Sequence, residues 1–451
     1  MSGEIVVIGG GLSGILHALR AAETGRSVVL LERSDRLGGA IRGIRVDGSV
    51  VDVGAESFSV VSGEFRGLLE RWGLADDIVS AEPVSANIVL PEGRIPIPHG
   101  VMGIPTGAEA LRDSGAFSPD EINQAVQADQ APYDLPDALS VADLVRARLG
   151  DAVYRRLVRP VVTGVWGEAA DQLDAQLVMP ELVHRARQVG SLMQASWQLR
   201  DNLPQPGLAV QSLRGGLHTL VSRAAELLTD AGVRVEYNTS VTGLRATEGG
   251  WVVTAQRDWV ASTVCLAVGP ELTRSLLASA GMDIAQQDLP TAVPSRIVVA
   301  SVESAILDDH PWGSGALIAD EVGAEIKAFS HINAKWGWWQ AVLPPGRHLV
   351  RMSMRQTEGS VDDSAQAARR ALSSVIGVDS GAIRELVVHD WPDVLSRPQP
   401  GAADRLRALG EQAEQAGLIL AGSSLPGSGL LRLARHDLSS RQQKEEYVPV
   451  S

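Results

Sequence analysis

The sequence predicts an α/β protein in which one parallel sheet is discontinuous, rebuilt from segments far apart in the chain. A mixed-sheet second domain and a helical insertion complete it. Three observations predict this class. An apolar β-branched run (Ile5, Val6, Val7, Ile8) opens directly into a glycine-rich turn and a helical pattern. Strand-then-glycine signals recur at residues 233–243, 262–269 and 417–422, separated by long insertions. Between them, helical patterns dominate residues 108–200, and strand-like runs fill residues 291–356.

The first element carries the most chemistry. Gly9, Gly11 and Gly14 have the GxGxxG spacing, followed by a helical segment and a second strand, Val28 to Leu31, that ends on Glu32. That order builds a Rossmann-like site for a dinucleotide. Gly9 allows a tight turn, Gly11 lets backbone approach a pyrophosphate, and Gly14 lets helix and strand pack closely. The free N–H groups at the helix start, with the positive end of its dipole, suit phosphate. Glu32 stands where an acid accepts ribose hydroxyls and disfavours a 2′-phosphate. A glycine turn kept for packing alone is the bland alternative, but strand, helix, strand and acid agree. Next, Arg36, Gly38, Gly39 and Arg42 form RxGGxxR, a pattern suited to a loop lying against further phosphate oxygens. An ordinary glycine turn with solvated arginines is its alternative. NAD and FAD stay open at this point.

The remaining elements follow in order. Residues 64–79 show helical periodicity ending near Gly73, and residues 84–107 are short extended pieces punctuated by prolines. The helical stretch is interrupted at residues 160–167, and residues 201–207 read as a connector. A glycine start and amphipathic helix at 213–228 resume the dinucleotide domain. A hairpin at 251–268, a helix near 365–376 and a buried strand at 417–422 complete the pattern. The division is a cofactor domain in three parts (1–75, 208–270, 385–451), a substrate domain in three parts (76–107, 166–207, 271–384), and a helical insertion (108–165).

Composition excludes several functions. A chain of 451 residues suggests two or three units, and 45% hydrophobic residues support a packed enzyme. A net charge of −14 argues against nucleic acid and against attraction to anionic lipid. The single cysteine, Cys265, offers no disulfide or metal cluster and reads as a small buried strand residue. The nine histidines show no ligand spacing, so no metal is expected; His99, His331 and His389 read as surface or packed residues. The Trp336, Trp338 and Trp339 cluster reads as packing beneath a sheet. Without a signal core or a spanning apolar stretch, the expected location is cytoplasmic, with room for peripheral membrane contact. Oligomeric state is not legible.

With these residues in view, the chain resembles the FAD-dependent oxidases related to amine oxidases. Within them it is most similar to the protoporphyrinogen/coproporphyrinogen oxidases of haem synthesis. The resemblance covers most of the chain. Beyond the N-terminus it runs through VDVGAESF (51–58), RPVVTGVWG (159–167), LRGGL (213–217), KW (335–336), DWP (390–392) and LAG (420–422). It implies a discontinuous Rossmann-like FAD-binding domain, and hence FAD rather than NAD.

The resemblance also implies roles for residues. Gly9, Gly11, Leu12, Ser13 and Gly14 would meet the pyrophosphate, and Glu32 the adenosine ribose. Arg33 and Arg42 would stand beside phosphates or ribityl, with Gly38, Gly39 and Ala40 in the same loop. Gly54, Ala55, Glu56 and Ser57 would pass the flavin edge. Val241 would lend backbone to adenine, and Trp391 would lie near the flavin unless it is simply a core tryptophan. Gly422 and Ser423 would serve the ribityl and pyrophosphate, and Gly429 and Leu430 the pyrimidine side. A loop of residues 163–167 would cover the substrate, with the Gly164 carbonyl, Val165 and a Trp166 wall. Arg94, Arg159 and Lys335 are candidates for propionate groups, though an exposed arginine is usually only solvated.

The implied reaction is dehydrogenation of a tetrapyrrole: coproporphyrinogen III to coproporphyrin III, or protoporphyrinogen IX to protoporphyrin IX, with molecular oxygen as acceptor. The cofactor performs the difficult step, so no catalytic side chain is required. Two departures stand out. The histidine that follows Trp-Pro in the family is missing at residues 398–402. Arg432 and Arg435 stand where small residues pack against the flavin. An amine or amino-acid oxidase, or a natural-product flavin oxidase or desaturase, is the alternative. Residues 296–301 lack the strand lysine of amine oxidases, which counts against that part of it. A flavin-poor binding homologue is the third reading.

Overall fold

Five segments pair in parallel in the computed structural model, in the order Arg234–Glu236, Val28–Leu31, Ile5–Ile8, Thr263–Leu266, Leu418–Leu420. The structure describes residues 4–60, 63–132, 134–167, 170–200, 210–355, 358–422 and 430. Strands buried on both faces read as continuous apolar runs, as Ile5–Ile8 and Val28–Leu31 do. Their alternate side chains feed two cores. Ile5, Val7, Val28, Leu30 and Cys265 pack against the helices Leu12–Glu23, Glu64–Arg71 and Thr219–Asp230. Val6, Ile8, Val29, Leu31, Val264 and Leu266 pack against Pro270–Ser279, Ala402–Gln415 and the three-stranded sheet of residues 243–261. The return of four distant segments to one sheet is as the strand-then-glycine pattern predicts.

A seven-stranded sheet lies beside it, in the order Ile383–Arg397, Thr291–Glu303, Arg347–Met354, Ile326–His331, Gly315–Ile318, Ala86–Leu90, Gly93–Pro96. It is mixed, because Gly315–Ile318 pairs with Ala86–Leu90 in parallel while the other pairs are antiparallel. The helix Val361–Ala371 covers one face, and Trp336, Trp339, Val51 and Val53 pack on the other. The tryptophan cluster is thus packing, with Trp338 stacked on Trp339 at 4.2 Å between centroids.

A separate core around Tyr154 and Leu144 holds the helices between residues 108 and 200. Here the expectation of a break at residues 160–167 fails. Arg159–Trp166 is a helix that ends at Gly167 in the left-handed region. Pro160 lies inside a continuous helical run, because the π-helical turn Tyr154–Val158 leads directly into Arg159–Trp166, and its missing N–H falls at that junction.

Candidate active site

A cavity of about 470 Å³ opens at the carboxyl ends of the parallel strands. Strand exits supply its walls: Gly9 and Gly11 after the first strand, Glu32 to Arg36 after the second, Ala267 to Gly269 after Thr263–Leu266, and Gly422 after Leu418–Leu420. Thr239 and Val241 enter from the chain after Arg234–Glu236. This end of an open α/β sheet is where ligands bind.

The glycines divide by function. A Cβ on Gly9 would lie 2.4 Å from the Ala267 carbonyl oxygen, and one on Gly14 would lie 1.9 Å from the Gly9 oxygen. Both are demanded by protein packing. Gly11 differs: its φ of −70° suits any residue, and nothing but the Gly39 Cα, at 3.9 Å, would meet its Cβ. The missing side chain therefore leaves room in the cavity instead of relieving a contact. Gly11 also caps the helix Leu12–Glu23, which has no side-chain cap and no acid in its first turn. Its free N–H groups face the cavity beside Leu12 and Ser13. This open cradle fits the phosphates of a dinucleotide.

Glu32 is buried and held in place. Its Oε2 accepts from the Gly10 N–H at 2.7 Å, and its Oε1 from the Ser34 N–H and hydroxyl at 2.8 and 2.7 Å. Ser34 is a wall residue that sequence reasoning did not single out. The Gly38 N–H donates to the Gly10 carbonyl at 2.8 Å, laying residues 38–40 against the glycine turn. Arg36 and Arg42 both line the cavity, and Arg36 also donates to the carbonyls of Leu37, Gly39 and Ile41 and thereby shapes the loop. Arg33 lines the rim and meets Asp393 at 3.4 Å.

The opposite wall comes from the strand Ile383–Arg397. Between Trp391 and Leu395 its pairing shifts register, because Pro392 has no N–H to donate, and Pro392 and Asp393 bulge toward the cavity. The Trp391 Nε1 donates to the Val53 carbonyl at 3.0 Å. Ala55 lines the cavity, and Gly54 touches both Trp391 and Ala40. His389, expected to be surface or packing, lines this cavity two residues before Trp391 and meets it edge-on at 4.6 Å. The signal was available: residues i and i+2 of a strand share a face. Leu430 lines the cavity as well; Ser423, Gly429, Arg432 and Arg435 lie outside the described residues.

Several expected site residues are engaged elsewhere. Glu56 and Ser57 do not line this cavity. The Glu56 carboxylate accepts from Lys335 Nζ at 2.9 Å and Trp336 Nε1 at 2.8 Å, with Arg351 at 3.8 Å. Burial pushes this carboxyl up, but Lys335, Arg351 and the two hydrogen bonds outweigh it and hold it at about 2. Lys335 is thus consumed by an internal ion pair. Arg94 donates to the Pro311 carbonyl and stacks on Trp312, and Arg159 pairs with Asp320 at 2.6 Å. All three candidate propionate cations have protein partners.

Residues 164–166 form the end of a helix, not a loop. Gly164 packs on Leu317, Trp166 packs on the helical core, and Val165 is exposed. A Cβ on Gly167 would strike Leu395, and its carbonyl accepts from Lys327 Nζ at 2.8 Å. The strand that carries Trp391 therefore also contacts this turn.

A helix start ringed by glycines, an anchored acid after the second strand and a wall drawn from a second sheet together define a dinucleotide-dependent oxidoreductase. The chain belongs to the flavin containing amine oxidoreductase family, whose profile matches residues 12–429. It is a flavin-dependent oxidoreductase. Coproporphyrinogen III oxidase from Staphylococcus aureus (strain NCTC 8325 / PS 47) is 25% identical, over 95% of this chain and 96% of that protein. The enzyme of the same name from Mycobacterium leprae (strain TN) is 29% identical, over 94% of each chain. A crystal structure from Exiguobacterium sp. 255-15, provisionally named a protoporphyrinogen oxidase, superposes with a TM-score of 0.85 at 23% identity. It covers 99% of this chain and all of its own, and it shows the shared fold.

Proposed function

We propose that this protein is an FAD-dependent oxidase that dehydrogenates a porphyrinogen, coproporphyrinogen III in the first place, with molecular oxygen as acceptor. The observation that carries the reading is the strand Ile383–Arg397. It presents Trp391 to the dinucleotide cavity and, four residues further on, Leu395 to the helix end at residues 164–167. Substrate and cofactor regions thus share one rigid element. Near-complete alignment with coproporphyrinogen III oxidases supports the substrate class.

Bound FAD would supply the hydride-accepting ring. Glu32 would accept the adenosine ribose hydroxyls. The turn at Gly9 and Gly11, with the helix start at Leu12 and Ser13, would hold the pyrophosphate, and Arg42 would offset its charge. Trp391 and Gly54 would set how closely the ring approaches the mixed sheet. Val165 and Trp166 would wall a flat macrocycle. No cation is assigned to its carboxylates. The three-part division of the cofactor and substrate domains is proposed on the same grounds.

The test is anaerobic. Protein reconstituted with FAD and mixed with coproporphyrinogen III should lose its visible flavin absorbance, then regain it in air with release of coproporphyrin III and hydrogen peroxide. Retained absorbance would reject the substrate class. Bleaching by a primary amine instead would favour an amine oxidase.

A further inference from the structure

We propose that Arg351 is a positioning residue for the flavin: it holds the segment Val53–Ala55 at the cavity from behind and leaves one positive charge there. This rests on the reading that the cavity takes FAD. In that reading Glu32 and the glycine turn take the ribose and pyrophosphate, and the ring falls to the wall where Ala55 and Trp391 stand. Arg351 lies on the strand Arg347–Met354. Its neighbours Val350 and Met352 pack under the helix Val361–Ala371, whereas Leu349 packs with Val51 and Val53. Arg351 shares the face of Leu349 and so points toward the cofactor wall.

The Arg351 Nη2 donates to the Val53 carbonyl at 3.3 Å and to the Gly54 carbonyl at 3.1 Å. The Val53 oxygen also accepts from Trp391, but the Gly54 oxygen has no other protein partner among the described residues. A planar trans peptide points its C=O and the following N–H in opposite directions. Arg351 thereby turns the Ala55 N–H the other way, onto the Ala40 carbonyl at 3.0 Å. The segment is clamped between the mixed sheet and the loop of residues 38–42. Charge adds a second effect. One carboxylate, Glu56, faces two cations, Lys335 at 2.9 Å and Arg351 at 3.8 Å. One positive charge is left over among side chains only 11–17% exposed, where salt and water screen it poorly. Charge near a flavin tunes its electronics, and a cation favours the reduced ring, which carries more negative charge. Arg351 does not itself line the cavity, so it acts through Gly54, Ala55 and its field.

The test compares wild type, Arg351→Met, Arg351→Lys and Glu56→Gln. Apoprotein is titrated with FAD by fluorescence, and the midpoint potential of the bound flavin is read against a reference dye. Arg351→Met should bind FAD about five- to tenfold more weakly, the size of one lost hydrogen bond. Its reduction equilibrium should shift about tenfold toward the oxidised flavin, a potential about 30 mV lower for a two-electron couple. Arg351→Lys keeps the charge and a donor, and should recover most of both losses. Glu56→Gln removes the acid instead, so its equilibrium should shift the opposite way. A merely structural arginine would lower apoprotein stability yet leave the potential of the bound flavin in place. Reduction equilibria of Arg351→Met and Glu56→Gln within twofold of wild type would overturn the inference while leaving the FAD reading intact. Should Arg351→Met not fold, Glu56→Gln decides alone. Wild type that binds no FAD would overturn both.

Discussion

The Gly422 N–H donates to the Ser13 hydroxyl oxygen at 2.9 Å, joining residues 409 positions apart. Ser13 is buried at the open helix start, and Gly422 ends the last strand of the parallel sheet. The bond closes the cavity between the first and last segments of the discontinuous domain. Ser13→Ala leaves a partly buried N–H without an acceptor, which costs about 1–2 kcal/mol. Thermal unfolding should therefore shift down, and FAD should bind several-fold more weakly. Ser13→Thr, which keeps the oxygen, should lie closer to wild type on both measurements.

Gly11 and Gly14 should respond oppositely to the same change. Alanine at Gly14 forces a Cβ to within 1.9 Å of the Gly9 carbonyl oxygen, so the helix must move off the strand. A loss of roughly 3 kcal/mol or more, read by denaturant unfolding of the apoprotein, is expected. Alanine at Gly11 meets only open cavity and needs no strained backbone. Its apoprotein should unfold within about 0.5 kcal/mol of wild type. Its FAD affinity should fall at least about tenfold, because the methyl group occupies the phosphate approach. Equal FAD affinity for Gly11→Ala and wild type would show that the phosphates lie elsewhere.

The contrast between these glycines marks what the sequence can convey. Turn, helix start and acid were legible because each depends on residues close in the chain, and the distant strands announced themselves by apolar runs ending on glycine. Contacts between segments were not. Lys335 reads as a free cation until its partner Glu56, 279 positions away, is brought beside it. Arg36 looks equivalent to Arg42, yet it also braces the loop by donating to the carbonyls of Leu37, Gly39 and Ile41. Pro160 reads as a break, yet the π-helical turn Tyr154–Val158 carries the helical chain through it into Arg159–Trp166.

Breaking the Glu56–Lys335 pair should be costly. Both side chains are mostly buried, at 11% and 17% exposure, so Lys335→Ala leaves a carboxylate facing only Trp336 and the more distant Arg351. A loss of about 3 kcal/mol is expected in denaturant unfolding. The double variant Glu56→Gln with Lys335→Met should recover much of it, because no lone buried charge remains. Since the folded carboxyl sits at about 2, its contribution is complete above pH ~4.5 and drains away as pH falls toward 2.

A second acid-sensitive group lies on the seven-stranded sheet. The Asn333 side-chain oxygen accepts from the Leu349 N–H at 3.0 Å, which turns its amide nitrogen toward His348 Nδ1 at 3.1 Å. Nδ1 is therefore an acceptor, and the His348 proton sits on Nε2, donated to Asp308 at 2.9 Å. His331 must then donate its own Nε2 proton to the same Nδ1, at 3.1 Å. Burial, then the neighbouring His348 and His310, push His331 down to about 3. Above pH ~6.5 both folded and unfolded chains hold this ring neutral, and stability is unaffected. Between pH 6.5 and about 3 only the unfolded chain takes up the proton, so stability falls by about 1.4 kcal/mol per pH unit. His331→Phe keeps the Asn333 bond to His348 and removes the titration. Its unfolding free energy should therefore be flatter than wild type from pH 6.5 down to pH 5, where Glu56 is still ionised in both folded and unfolded chains. Parallel curves for the two proteins over that interval would exclude His331 as the source.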